Sequence, residues 1–170
     1  VLGAPLLAVV VHGLVRWLWH IPALFEACLH NETLHGVQHA TFFLSAMWFW
    51  WTLVQGGYGK IGYGASVLFV FATALHGGAL GVLISLAREP WYASHAARTL
   101  AAGGDAVLDQ QLAGLIMWVI AGTLLTAVGL ALFTAWLGQA SRSQRRSAVA
   151  QLIAAQPHGA EPPQASEVRP

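Results

Sequence analysis

Charged residues are scarce in this chain: of 170 residues, only 9% are Asp, Glu, Lys or Arg, whereas 56% are hydrophobic. Soluble domains carry about 25% charged residues, so this composition excludes an ordinary soluble fold and predicts an integral membrane protein in a lipid bilayer. The formal net charge is +1. Because no basic surface of the kind that attracts nucleic acid is indicated, we expect no nucleic-acid partner.

Cysteine is almost absent, since Cys28 is the only one, and an intrachain disulfide is therefore excluded. The sequence also lacks HExxH, CxxC and CxxCH motifs, a phosphate-binding loop and a nucleophile beside an evident base. We therefore expect a protein that is not an enzyme. For Cys28 the sequence favours a packing role, and a soft ligand for copper(I) is the alternative.

Long stretches without formal charge predict where the chain crosses the membrane, because a span needs about 20 apolar residues. Three such windows lie at residues 33–59, 61–87 and 110–141. An earlier apolar stretch is interrupted by Arg16. This stretch qualifies as a membrane span only if the Arg16 side chain snorkels or faces protein, or if the helix bends near Pro22. We predict an all-α polytopic membrane bundle of about four transmembrane helices, over residues 2–25, 34–54, 65–87 and 111–137.

Basic residues after the last predicted helix indicate the orientation. Arg142, Arg145 and Arg146 follow it directly, and the positive-inside rule places them in the cytoplasm. Alternation then puts the loop around Lys60 inside as well, and the other two loops outside. We predict a transmembrane bundle over residues 1–138 and a cytoplasmic tail over 139–170, which begins as a short amphipathic segment and ends Pro/Ala-rich and disordered.

Histidines in the apolar windows suggest the function. A titratable ring in hydrocarbon costs free energy unless it has a partner, and histidine is the commonest metal ligand. His35 and His39 are four residues apart, so they share one helix face and both can reach one metal ion. His76 lies twelve residues before Arg88. At 1.5 Å per residue that is roughly 18 Å, which places His76 near mid-membrane. Beside it, Gly77 and Gly81 predict a close helix contact.

Other ligand types stand near the predicted outer ends of the helices. His20 precedes Ile21-Pro22, and Asp109 is expected to be the N-cap of the last helix. Met117 continues a stripe with Gln110 and Gly114 at helical spacing, and its thioether suits copper(I). We predict a graded metal site that opens to the outer side, formed by His20, His35, His39, His76, Asp109 and Met117.

Each residue also has a structural interpretation. A lone intramembrane histidine can hydrogen-bond a neighbouring helix, and a methionine such as Met117 often fills core space. For His12 the sequence indicates no partner. His30 and His95 are expected to be solvated in the outer loops. Two further functions stay open: a b-type haem held by His39 and His76, which would have to lie at one depth, and a structural subunit of a respiratory complex.

Several segments resemble the CtaG family, the assembly proteins of caa3-type cytochrome c oxidase. The matching segments are WHIPAL at residues 19–24, Leu34-His35 with His39, WFWW at 48–51, ALHGG and LG at 74–81, PWY at 90–92 and DQQLAGLIMW at 109–118. They lie within residues 17–138. The family pattern includes further upstream helices with their own histidines, which this sequence does not contain. The resemblance implies a factor that matures a haem–copper oxidase, with copper as cargo and the oxidase subunits as partners. The oligomeric state stays open.

Overall fold

The computed structural model describes residues 3–55 and 62–155. Within these ranges the chain forms six helices. In chain order they are α1 (Gly3–Trp19), α2 (Pro22–His30), α3 (Glu32–Gln55), α4 (Tyr63–Ser85), α5 (Ala93–Ala101) and α6 (Ala106–Ala154). No strand occurs within these two ranges. The predicted all-α class is confirmed.

The break between α1 and α2 follows from Pro22, which stands at the start of α2. Proline has no N–H and restricts the preceding residue to extended backbone, and Ile21 has φ −62° and ψ 126°. The end of α1 tightens, because the His20 N–H donates to the Trp17 carbonyl, three residues back, at 3.2 Å. The two helices are bent by 72° relative to each other. The first predicted helix therefore bends near Pro22.

Side chains cap the starts of α3 and α6. The Leu34 N–H donates to Asn31 Oδ1 at 3.0 Å. Two backbone N–H groups of the first turn of α6 donate to Asp105 Oδ1, at 2.9 and 3.1 Å. These bonds satisfy donors that a helix start leaves open. The prediction that Asp109 is the N-cap is wrong: α6 begins at Ala106, so Asp109 lies within its first turn.

Two helices, α4 and α6, are long and apolar enough to cross a membrane, and α1 with α2 makes a third if the bent pair is one span. α3 has 24 residues, but among the described helices it is not one of these candidates. Polar side chains such as Gln38, His35 and His39 lower its hydropathy. The described residues support two or three spans, and the predicted count of four is not confirmed.

α4 and α6 approach closely at two glycines. A Cβ atom at Gly114 would lie 2.8 Å from the Ser85 backbone nitrogen and 2.9 Å from the Gly81 carbonyl oxygen. A Cβ atom at Gly81 would lie 2.5 Å from Trp118 Cβ. Real side chains do not fit at such distances, so the absence of a side chain lets the two backbones meet. The predicted helix contact at Gly81 is confirmed.

The apolar core lies where α1, α3, α4 and α6 meet, and it consists of Val9, Phe49, Leu53, Val70 and Leu125. At the end of α1, the Trp19 indole N–H donates to Thr41 Oγ1 at 2.8 Å and joins α1 to α3. Outside the core many large apolar side chains are exposed, among them Leu68 at 66% and Ile120 at 65%. Such a surface suits lipid, which is as apolar as leucine itself.

The chain divides into two compact units, Val1–Trp136 and Leu137–Pro170. In the second unit the described residues are helical to Ala154, and their side chains are exposed. The last helix therefore runs well past its predicted end at residue 137. The Pro/Ala-rich end of the predicted tail, like the loop around Lys60, lies outside the described residues.

Candidate functional site

Four histidines line one cavity of about 280 Å³ between α2, α3 and α5, which we call the histidine cavity. Its lining residues are His20, Phe25, Cys28, Leu29, His35, Gln38, His39, Phe42 and His95. Cys28 is only 3% exposed, and its thiol lies 3.9 Å from the Leu34 carbonyl oxygen. Imidazole and thiol groups suit copper, zinc and iron, and a thiol favours the softer ions.

His35 and His39 face each other across one turn of α3. Their Nε2 atoms are 2.7 Å apart and their rings are stacked with centroids 4.6 Å apart. In this hydrogen bond one Nε2 carries the proton and the other offers its lone pair. Both side chains are exposed, so the rings have room to turn. Two imidazole nitrogens converge on one point of the cavity wall, as the spacing predicts.

His20 is held in one tautomer by the end of α1. Its Nδ1 lies 2.7 Å from the Arg16 carbonyl oxygen, which only accepts, so Nδ1 carries the proton. Nε2 then holds the lone pair, and a backbone carbonyl on Nδ1–H is the arrangement that fixes Nε2 as a ligand nitrogen. The Tyr92 hydroxyl donates to the His20 carbonyl at 3.0 Å. Burial raises the pKa of Tyr92 to about 12, so this donor stays protonated at physiological pH.

A second cavity, of about 290 Å³, carries Met117 and Asp109 and is called here the methionine cavity. Its lining residues are His20, Phe25, Ile84, Pro90, Tyr92, His95, Ala96, Ala106, Asp109, Gln110, Ala113, Gly114 and Met117. Gln110, Gly114 and Met117 share one face of α6, as their spacing predicts.

Polar contacts fix the outer segments around these cavities. Glu26 on α2 accepts the Ser94 backbone N–H at 2.9 Å and also the Ser94 hydroxyl, which attaches α5. The Thr99 hydroxyl donates to Asp109 Oδ2 at 3.0 Å. Gln110 Oε1 accepts the Trp91 N–H at 2.6 Å. Gln110 therefore positions the loop before α5.

His76 lies elsewhere, in a cluster with His12, Arg16 and Ser45, in which His12 and Ser45 are buried and His76 and Arg16 half-buried. The rings of His76 and His12 have centroids 6.4 Å apart. His12 Nδ1 is 3.1 Å from the Ser45 hydroxyl, and its Nε2 is 3.3 Å from Arg16 Nη2. Arg16 packs against Gly77 where a Cβ atom would sit. Arg16 thus faces protein, one of the conditions under which the first apolar stretch could span.

Arg16 sets the electrostatics of this cluster. Among the described residues no carboxylate forms a salt bridge with Arg16, so its positive charge acts directly on the neighbouring rings. Both ring nitrogens of His76 are buried and have no hydrogen-bond partner in the described part of the chain. A cation bound at His76 would be repelled by Arg16. The cluster suits helix packing better than metal binding.

The predicted set of six ligands is thus distributed over three places. His35 and His39 line the histidine cavity, Asp109 and Met117 line the methionine cavity, and His20 lines both. His76 lines neither of them. Within residues 3–55 and 62–155, no three His, Cys, Asp or Glu side chains are arranged to hold a metal ion together. These side chains surround space without converging on one closed site.

Sequence reasoning missed two histidines. His95 is exposed, as its position in a polar outer segment predicts, but it also lines both cavities, which the sequence did not indicate. The amphipathic pattern of α5 was the available signal, because one face of a surface helix must lie against the protein. His12 has partners on two helices, and its spacing of four residues from Arg16 indicates a shared helix face.

One family model matches the sequence: cytochrome c oxidase caa3 assembly factor (Caa3_CtaG), over residues 1–139. The match covers most of the chain, including all residues that line the two cavities. The searches of curated proteins and of solved structures found no match.

Proposed function

Because the chain belongs to the family of cytochrome c oxidase caa3 assembly factors, we propose that it binds copper(I) in the histidine cavity and delivers it to a haem–copper oxidase. The proposed partners are the oxidase subunits. The proposed location is a bacterial plasma membrane, with the cavity on the outer side and the C-terminus in the cytoplasm. His35, His39 and His20 are the main ligands.

The observation that carries this proposal is the 2.7 Å approach of His35 Nε2 and His39 Nε2 on an exposed face of α3. Imidazole nitrogens bind a metal ion such as zinc at about 2.0 Å. An ion held in line between the two nitrogens therefore needs a separation of about 4 Å. A small rotation of two exposed side chains provides it. The ring that carries its proton on Nε2 shifts that proton to Nδ1.

An open, incompletely coordinated site suits delivery. A closed cage of four ligands holds a structural ion, whereas a site with few ligands leaves room for the receiving protein to add its own. In the proposed site two histidines from α3 and one from the α1–α2 bend surround a cavity of about 280 Å³. No Lys or Arg is among its lining residues.

The test is a competition between the purified full chain and a copper(I) chelator under reducing conditions. We expect the double variant His35→Ala/His39→Ala to bind copper(I) at least ~100-fold more weakly than the wild type, because even outer-shell changes cost about 10- to 100-fold in metal affinity. His30→Ala is the matched control, since His30 is exposed and lies outside the histidine cavity. Equal affinity in all three proteins would overturn the proposal.

An absorption spectrum of the same preparations tests the two alternative functions. A b-type haem would give a Soret band in the wild type, which would replace the copper proposal. A structural subunit would show neither a Soret band nor copper binding, and oxidase copper content in cells would be unchanged by the double substitution.

A further inference from the structure

The two cavities share three lining residues, His20, Phe25 and His95. Two of the three are histidines, and they come from different elements: His20 from the bend between α1 and α2, and His95 from α5. A histidine that lines both cavities can bind an ion in either one. The shared wall is therefore a place where an ion can change cavities by exchanging ligands.

His20 is prepared for such a role by its surroundings. Its Nδ1–H is committed to the Arg16 carbonyl at 2.7 Å, and its own carbonyl accepts the Tyr92 hydroxyl at 3.0 Å. The ring is held through Nδ1 and the backbone through its carbonyl oxygen, and Nε2 keeps a free lone pair without any change of protonation. A ligand whose second nitrogen is anchored in this way binds metal in a defined orientation.

The methionine cavity adds a softer donor and a negative charge. Met117 contributes a thioether, which favours copper(I) over harder ions. Asp109 contributes a carboxylate, which attracts a cation. Neither Lys nor Arg is among the residues that line this cavity. The donor set differs from that of the histidine cavity by its sulfur from α6, so the two cavities can be told apart by spectroscopy.

We propose that the methionine cavity is a second copper(I) site, with His20, His95 and Met117 as its ligands, and that the ion reaches it from the histidine cavity through His20. This inference rests on the proposed function, since copper must first enter. The transfer is a ligand exchange in which the copper–nitrogen bonds to His35 and His39 break as bonds to His95 and Met117 form, while His20 Nε2 stays bound to the ion. When both cavities are loaded, His20 Nε2 holds the ion in the methionine cavity, and His35 and His39 alone hold the other ion. No electron moves, and the proton on His20 Nδ1 stays in place.

The experiment titrates copper(I) alone into the full chain, counts bound equivalents and examines copper by X-ray absorption. We expect two equivalents in the wild type, with a sulfur neighbour. His20→Asn keeps a donor for the Arg16 carbonyl and removes the Nε2 ligand, so a loss of binding in this variant is not a loss of the helix end. We expect His20→Asn, His95→Ala and Met117→Leu each to reduce binding from two equivalents to one.

Two controls identify the sulfur and the site. Met47→Leu changes the only other methionine, which is 52% exposed on α3, and the sulfur neighbour should persist in it. In Met117→Leu the sulfur signal assigned to the second equivalent should disappear. His35→Ala/His39→Ala should lose the other equivalent and keep the sulfur-containing one, because it removes ligands of the histidine cavity alone.

The outcomes separate the two proposals. A single equivalent in the wild type, lost in His35→Ala/His39→Ala and unaffected by His20→Asn, His95→Ala and Met117→Leu, overturns the second site and leaves the proposed function standing. No bound copper in the wild type overturns both. Two equivalents with a sulfur neighbour that survives Met117→Leu also overturn the second site as assigned here.

Discussion

The pair His35–His39 and the pair His12–His76 bring the same side-chain chemistry to different surroundings. The first pair is exposed on a cavity wall, and its Nε2 atoms are bonded only to each other. The second is buried between helices, next to the positive charge of Arg16 and the hydroxyl of Ser45. Burial and a neighbouring cation oppose metal binding, whereas an exposed, converging pair permits it. A histidine in an apolar helix therefore need not bind a metal ion.

The largest expected difference between the pairs is in oxidase maturation. In cells whose oxidase depends on this chain, we expect His39→Ala to lower oxidase copper content and activity at least ~10-fold, as loss of a metal-site contact does. His76→Leu should leave both near wild type, because His76 lines neither cavity. Copper content per oxidase, measured beside the amount of this chain in the membrane, checks the result. The reverse pattern would place the cargo at the buried pair.

Packing at the buried pair is tested at Gly77. A Cβ atom there would collide with the Arg16 guanidinium, the end of a flexible side chain that can move aside, so we expect Gly77→Val to lower the free energy of unfolding by about 1 kcal/mol, the low end for overpacking. Gly78→Val is the control, since a Cβ atom at Gly78 meets nothing within 4 Å. Unfolding in detergent measures both variants, and copper affinity should be unchanged in each. Equal stability of the two would mean that Arg16 is not confined by Gly77.

The two members of the buried pair should also differ from each other. His12→Leu removes the bonds to Ser45 and to Arg16. The Ser45 hydroxyl keeps its bond to the Phe42 carbonyl, but Arg16 loses its partner, at a cost of about 1–2 kcal/mol of stability. His76→Leu removes two buried nitrogens that have no partner among the described residues. That replacement should be neutral or slightly stabilising. If His76→Leu unfolds as easily as His12→Leu, His76 has a partner that the geometry does not reveal.

The smallest effect is expected beside the cavities. Tyr92→Phe removes one interhelical hydrogen bond, to the His20 carbonyl, and such bonds contribute about 0.6 kcal/mol in membrane proteins. Because the pKa of Tyr92 is raised to about 12 by burial, the wild-type bond should persist unchanged from pH 6 to 9. The stability difference between wild type and variant should therefore be constant over that range. A difference that varied with pH would point to another titrating group.

Much of the helical architecture could be predicted from local sequence. Charge-free windows located α3, α4 and α6, because long apolar segments must satisfy their backbone groups as helices in lipid. Pro22 marked the bend, and Gly81 marked a helix contact. The start of α6 was misjudged, since Asp105 competes with Asp109 for the cap and only the hydrogen bonds decide. The count of four spans rested on charge alone, and the polar residues of α3 leave it unconfirmed.

The sequence by itself determined the residue spacing that puts His35 beside His39 and Met117 on one stripe, because helical periodicity is a local property. Only the tertiary structure decided which helix each side chain faces. The rotation of α4 turned His76 toward α1 and Arg16, and the hydrogen bonds of α5 to Glu26 and Asp109 brought His95 over the cavities. Helix rotation depends on how small and large residues interlock between segments distant in sequence, so no single window of the chain contains it.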